Sequence, residues 1–130
     1  MVRLLVCGGR AFEDEAGLFR TLDGFHDNHP VDLVIEGGAC GADVMAGRWA
    51  EARGITHRCF EADWKRYRSA AGPIRNRQML EEGRPDLVMA FPGGKGTANM
   101  VEQAREAGVE VLLAVPDSNG RLALSTMHEP

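Results

Sequence analysis

The chain has 130 residues, with 15 Lys and Arg against 19 Asp and Glu for a net charge of −4, and 44% of its residues are hydrophobic. Such a length suits one domain that buries roughly two thirds of its unfolded surface, and no apolar run approaches the ~20 residues of a membrane span. The acidic balance gives no general attraction to nucleic acid, and the three cysteines, Cys7, Cys40 and Cys59, are too widely spaced for a metal knuckle. Neither a disulfide nor a metal site is expected, as suits a reducing compartment.

In chain order, Val2 to Cys7 reads as a strand and is followed by Gly8-Gly9-Arg10. The apolar start is short, ends in glycine and lacks the layout of a signal peptide, so a cytoplasmic address is expected. Leu18, Leu22 and Phe25 share helical spacing. Leu33 to Ile35 gives a second strand, ending at Glu36 and the run Gly37-Gly38-Ala39-Cys40-Gly41-Ala42-Asp43, before a helix carrying Met45, Ala46, Trp49 and Ala50. Thr56 to Phe60 is the third strand. Beyond it lie Lys65, Arg66, Arg68, Arg75 and Arg77 without an Asp or Glu between Trp64 and Leu80, a stretch that looks dedicated to an anion. A helix is expected after Gly72-Pro73, its apolar face (Ile74, Met79, Leu80) weak. Leu87 to Phe91, a helix with Met100, Val101 and Ala104, and Val109 to Val115 complete a βαβαβαβαβ order.

This order predicts an α/β, Rossmann-like three-layer sandwich, with a parallel sheet of about five strands buried on both faces by helices. The domain is read as 1–116, and 117–130, beginning with the turn Asp117-Ser118-Asn119-Gly120, as a tail of uncertain order. Ligands of such sheets bind beyond the carboxyl ends of the strands, where strand order reverses. The three glycine doublets, Gly8-Gly9, Gly37-Gly38 and Gly93-Gly94, all fall on that edge.

Phe91-Pro92-Gly93-Gly94-Lys95-Gly96-Thr97 carries the most information. Its glycines admit a ligand close to the backbone, and the helix that follows turns unpaired N–H groups toward the same place, so a nucleotide phosphate is expected on Gly93, Gly94, Gly96 and Thr97. Thr97 is expected both to cap the helix and to touch the phosphate; Lys95 either reaches it or points to water. Arg75 and Arg77, two apart on a helix, do not face one way. Arg75 is the candidate for the site, against an ion pair with Glu81 or Glu82. Arg10 lies where a side chain can cross the strand-order switch. Asp43 caps the second helix or accepts from a ribose hydroxyl, Asn76 reads a base edge or caps a loop, and Glu36 is the remaining carboxylate for acid or base work. Trp64 is expected to pack on a helix or partner rather than stack on a base. Cys7 and Cys40 are read as inert thiols.

These motifs resemble the SLOG superfamily of nucleotide-binding proteins, and most closely its YspA/cpYpsA-related branch. The resemblance rests on Gly8-Gly9-Arg10 with Phe12, Gly37-Gly38-Ala39, Gly41-Ala42-Asp43, Ala62-Asp63-Trp64, Ala71-Gly72-Pro73, Arg75-Asn76-Arg77 with Met79, and Ala90-Phe91-Pro92-Gly93-Gly94 with Gly96-Thr97. The superfamily includes the lonely-guy phosphoribohydrolases and the DNA-processing protein DprA, whose Arg-Asn-Arg segment is similar to 75–77. In the phosphoribohydrolases a glutamate implicated in catalysis stands three residues after the loop threonine. Here that residue is Met100, which neither gives nor takes a proton.

The resemblance implies binding of a nucleotide or a nucleotide-derived phosphoribosyl compound, as a sensor or carrier, with no resident cofactor and with a homodimer or higher homo-oligomer as the working form. One alternative is hydrolysis of a nucleotide N-glycosidic bond, Arg75 holding the phosphate and Glu36 serving as acid or base. Another is binding of single-stranded nucleic acid along Lys65 to Arg77, by analogy with DprA; the acidity of the chain argues against it.

Overall fold

The structure, a computed structural model, describes residues 1–126. Its single sheet has strands β1 (Val2–Cys7), β2 (Val31–Glu36), β3 (Thr56–Cys59), β4 (Leu87–Ala90), β5 (Glu110–Pro116) and β6 (Leu122–Thr126), in the order β3-β2-β1-β4-β5-β6. The first five pair in parallel, and β6 runs antiparallel to β5. Helices α1 (Glu15–Asn28), α2 (Ala42–Ala52), α3 (Trp64–Tyr67), α4 (Ala71–Gly83) and α5 (Lys95–Glu106) make the connections, with a 3-10 turn at Arg68–Ala70. The expected Rossmann-like α/β architecture is present, and strand order reverses between β1 and β4.

Alternation along β1 shows why both faces are covered. Leu4 and Val6 point into a core with Leu18, Leu22, Trp49 and Phe91, whereas Leu5 and Cys7 point into another with Ile35, Met79, Val88 and Met100. Residues of α1 and α2 thus cover one face, and residues of α4 and α5 the other. The start of α1 is set by Asp14, whose carboxylate accepts from Gly17 N at 2.9 Å.

Two elements differ from the expectation. β3 is not buried on both faces: its residues Thr56, Arg58 and Cys59 are exposed, because it forms the outer edge of the sheet. β6 arises from the segment read as a tail. Asp117 accepts from Asn119 N at 2.8 Å and Arg121 N at 3.0 Å, and Gly120 takes a positive φ of 79°, so the chain reverses into a hairpin on β5. The remainder of that segment, 127–130, lies outside the described residues.

Candidate functional site

A groove of about 630 Å³ lies at the β1/β4 reversal. Its floor is Cys7, Gly8 and Gly9; Asp43 and Ala39 form one side, the start of α5 the other, and Trp64, Ser69, Gly72, Pro73, Arg75 and Asn76 close over it from α3, the 3-10 turn and α4. Among the residues singled out in the sequence, Gly8, Gly9, Arg10, Asp43, Arg75, Asn76, Gly94, Lys95, Gly96 and Thr97 are brought together here. Glu36, Gly37, Gly38 and Gly93 do not line it. A more apolar cavity of about 580 Å³ lies across the Pro92–Gly94 loop, walled by Val101, Leu113 and Val115.

The glycines divide by what a Cβ would meet. At Gly8 it would lie 2.5 Å from Ala42 Cβ, and at Gly9 2.9 Å from Gly93 Cα. Gly9 N also donates to Pro92 O at 2.9 Å, so this doublet lets three loops meet backbone to backbone. Phe12 tightens the same junction, its ring 5.5 Å from that of Phe91. Gly93 is required by contact with Thr97 and Gly9. Gly94 and Gly96 are different. A Cβ at either meets nothing within 4 Å, so packing does not account for glycine there, and both border the groove.

The start of α5 presents donors to this space. Gly94 is the N-cap and makes no side-chain cap bond; the first helical bond is Ala98 N to Gly94 O at 3.0 Å, leaving the N–H groups of Lys95, Gly96 and Thr97 ahead of it. Thr97 is therefore in the first turn and does not cap the helix as expected. No acidic residue stands in that turn, so the helix dipole is not offset locally.

Arg75 and Arg77 separate as their spacing requires. Arg77 is exposed and pairs with Glu81 at 2.8 Å, while Arg75 lines the groove. Its guanidinium is held from both ends, Nη1 donating to Gly37 O at 2.5 Å and Nε to Asn76 Oδ1 at 3.0 Å. Asn76 is buried, and its Nδ2 donates to Gly96 O and Asn99 Oδ1 at 3.2 and 3.1 Å. It thus aims Arg75 and ties α4 to α5, rather than reading a base edge. Gly37 completes the arrangement, since its Cβ would lie 2.5 Å from Arg75 Nη1 and 2.9 Å from Asp43 Oδ2.

Asp43 is 5% exposed. The N-cap of α2 is Gly41, and Asp43 turns back to the preceding loop, Oδ2 accepting from Ala39 N at 3.4 Å while Oδ1 has no partner. Burial, with a smaller push from Glu36, raises its carboxyl to about 6, against the pull of Arg75 and the Ala39 and Gly37 amides. Glu36, also buried, is occupied: its oxygens accept from Gly38 N and meet His57 Nε2 at 2.5 Å.

Trp64 is not buried within this chain. It is 46% exposed at the groove's rim, where the Arg10 guanidinium lies 5.1 Å from its ring centroid. Asp63 sets this position by capping α3 through Arg66 N at 3.1 Å. The basic stretch is dispersed rather than dedicated to one anion: Arg66 lies over Tyr67, Arg77 is paired, and Arg75 alone of the five lines the groove. Cys7 is buried and its thiol pushed well above the usual range by burial. Among the described residues there is no cluster suited to a metal and no helix long and apolar enough to cross a membrane.

A model of the YspA, cpYpsA-related SLOG family (YAcAr) matches residues 2–67. The Gene 61 protein of Mycobacterium phage D29 is 35% identical over 120 residues, spanning 86% of this chain and 95% of the phage protein. Among solved structures, DNA processing protein A (DprA) from Streptococcus pneumoniae superposes with a TM-score of 0.70 at 18% identity, a likeness of fold. It covers 88% of this chain and 50% of DprA, so the chain spans half of that protein's length.

Proposed function

Because the chain belongs to the YspA, cpYpsA-related SLOG family, we propose that it binds a nucleotide or a nucleotide-derived phosphoribosyl compound in the groove between β1 and β4, as a sensor or carrier. The observation that carries this reading is the start of α5. Three free N–H groups, two glycines that packing does not require and the guanidinium of Arg75 all border a groove of about 630 Å³, a size suited to a small organic ligand. Phosphate is the anion that fits such a set of donors.

Binding is favoured over hydrolysis because the carboxylate first suggested for proton transfer, Glu36, is taken up by His57 and Gly38 N away from the groove. Self-association is part of the proposal: β6 is an outer strand of the sheet, the place where a second copy would add. Light scattering coupled to gel filtration tests that part.

Calorimetry and thermal shift with AMP, ADP-ribose and NAD test the main reading. A ligand at a hundred times its dissociation constant stabilises by about 2.7 kcal/mol, and Arg75→Ala abolishes the shift. If none of these compounds binds, the reading is wrong.

A further inference from the structure

We propose that the groove is polar along its length, taking the phosphate at α5 and the vicinal hydroxyls of a ribose at α2, with the Asp43 carboxylate as their acceptor. This rests on the nucleotide reading above and specifies the ligand further, as a ribonucleotide with both sugar hydroxyls free.

Two helices begin on the groove, and their first turns carry opposite chemistry. α5 has no acidic residue there and begins with Lys95; α2 has Asp43. Neither has a side-chain cap, but at α2 Ala42 N and Val44 N donate to Gly9 O and Ala39 O, so the open backbone donors gather at α5. A phosphate at α2 would face a carboxylate, whereas at α5 it faces only donors. The anion therefore belongs at α5, and α2 is left for a neutral group that donates.

Asp43 says what that group is. Its Oδ1 is buried and unpartnered, and its Oδ2 holds Ala39 N only at 3.4 Å, the outer limit of a hydrogen bond. Buried carboxylate oxygens ordinarily have donors. The Ala39 and Gly37 amides pull on this carboxylate, no donor is within hydrogen-bond reach of Oδ1, and the groove that Asp43 lines is the side from which one can approach. Adjacent hydroxyls on a sugar supply two donors at the spacing of one carboxylate. The compact sugar fits this buried end, whereas a planar base suits the open rim beside Trp64, which is 46% exposed. Gly37 keeps the geometry open, because a side chain there would strike both Asp43 Oδ2 and Arg75 Nη1.

The experiment compares AMP, 2′-deoxy-AMP, 3′-deoxy-AMP and inorganic phosphate by calorimetry, on the natural chain and on Asp43→Asn. On the natural chain each deoxy compound is expected to bind at least about tenfold more weakly than AMP. In Asp43→Asn the ratio falls toward one, and inorganic phosphate binds no more weakly than before. Equal affinity of AMP and its deoxy analogues for the natural chain overturns the inference and leaves the nucleotide reading standing. Loss of phosphate binding in Asp43→Asn overturns the assigned polarity. If no phosphorylated compound binds, the nucleotide reading fails and this one with it.

Discussion

Replacing Asp43 by asparagine in the ligand-free protein tests the electrostatics of the groove without any knowledge of its ligand. The buried carboxyl titrates at about 6 instead of 3.8, a rise of about 2 units at ~1.4 kcal/mol each, or about 3 kcal/mol. The folded state holds the Asp43 proton more tightly than the unfolded chain. The associated stability is fully present below pH 3.8 and is lost as pH rises through about 6. At neutral pH the ionised carboxylate therefore works against folding. Asparagine keeps an oxygen for Ala39 N and turns a neutral amide to the groove, so Asp43→Asn should unfold roughly 10 °C higher than the natural chain at pH 7.5. The two should converge below pH 4. Thermal unfolding followed by circular dichroism between pH 4 and 8 measures both curves. Parallel curves, or a variant less stable at pH 7.5, would refute the reasoning and show that water or a local shift already satisfies Oδ1.

Gly41→Ala is expected to destabilise by at least 2 kcal/mol, seen as a lower urea midpoint, because Gly41 has φ of 82° and its Cβ would strike Gly9 O and Arg10 O. Asp23→Ala leaves the buried indole N–H of Trp49 without its 2.8 Å acceptor and frees Arg53, and should cost roughly 1–3 kcal/mol in chemical denaturation. Exposed Cys40 should be labelled by a maleimide at pH 7.5 well before Cys7, which is buried, and before Cys59, whose thiol is pushed up to about 11 by burial and by Glu36; mass spectrometry of timed samples gives the order. Met100→Glu places a carboxyl in the apolar cluster of Leu5, Val88 and Ala104 and should lower thermal stability by several kcal/mol while releasing no free base from AMP.

The position of the site was legible because it depends on order. Short apolar runs alternating with helical spacing define a parallel sheet, and glycine doublets after three strands mark the carboxyl edge. The purpose of each glycine was not legible. Gly8 and Gly94 look alike in sequence, yet one is pressed against Ala42 and the other faces open space, a distinction that depends on which loops meet. Asp43 was read as a cap because helix starts usually use such residues so; a preceding loop that bends Ala39 N onto it has no local signature. β6 does leave a signal, the Asp117-Ser118-Asn119-Gly120 turn before alternating Leu122 and Leu124, but one short antiparallel strand after a parallel α/β pattern is a weak one. For Trp64 the sequence favours packing on a helix or a partner, whereas Asp63 starts a helix of one turn that leaves it at the rim.

The helix on which the proposed ligand class rests also constrains the chemistry. In α5 the residues bordering the groove are Lys95, Gly96, Thr97 and Asn99, and the next residue, Met100, is turned about 100° further round and fully buried. Position 100 thus belongs to the core between sheet and helix, and a catalytic carboxylate there would need a different seating of α5. Asn99 is already committed, accepting from both Asn76 and Gln103. The carboxylate that does border the groove is Asp43, at the start of α2 and across the groove from the start of α5. In the proposed binding mode a group so placed meets the sugar, and as an ionised carboxylate at neutral pH it accepts charge-assisted hydrogen bonds from hydroxyls. The arrangement supports the proposed recognition of a ribose more directly than attack on its glycosidic bond.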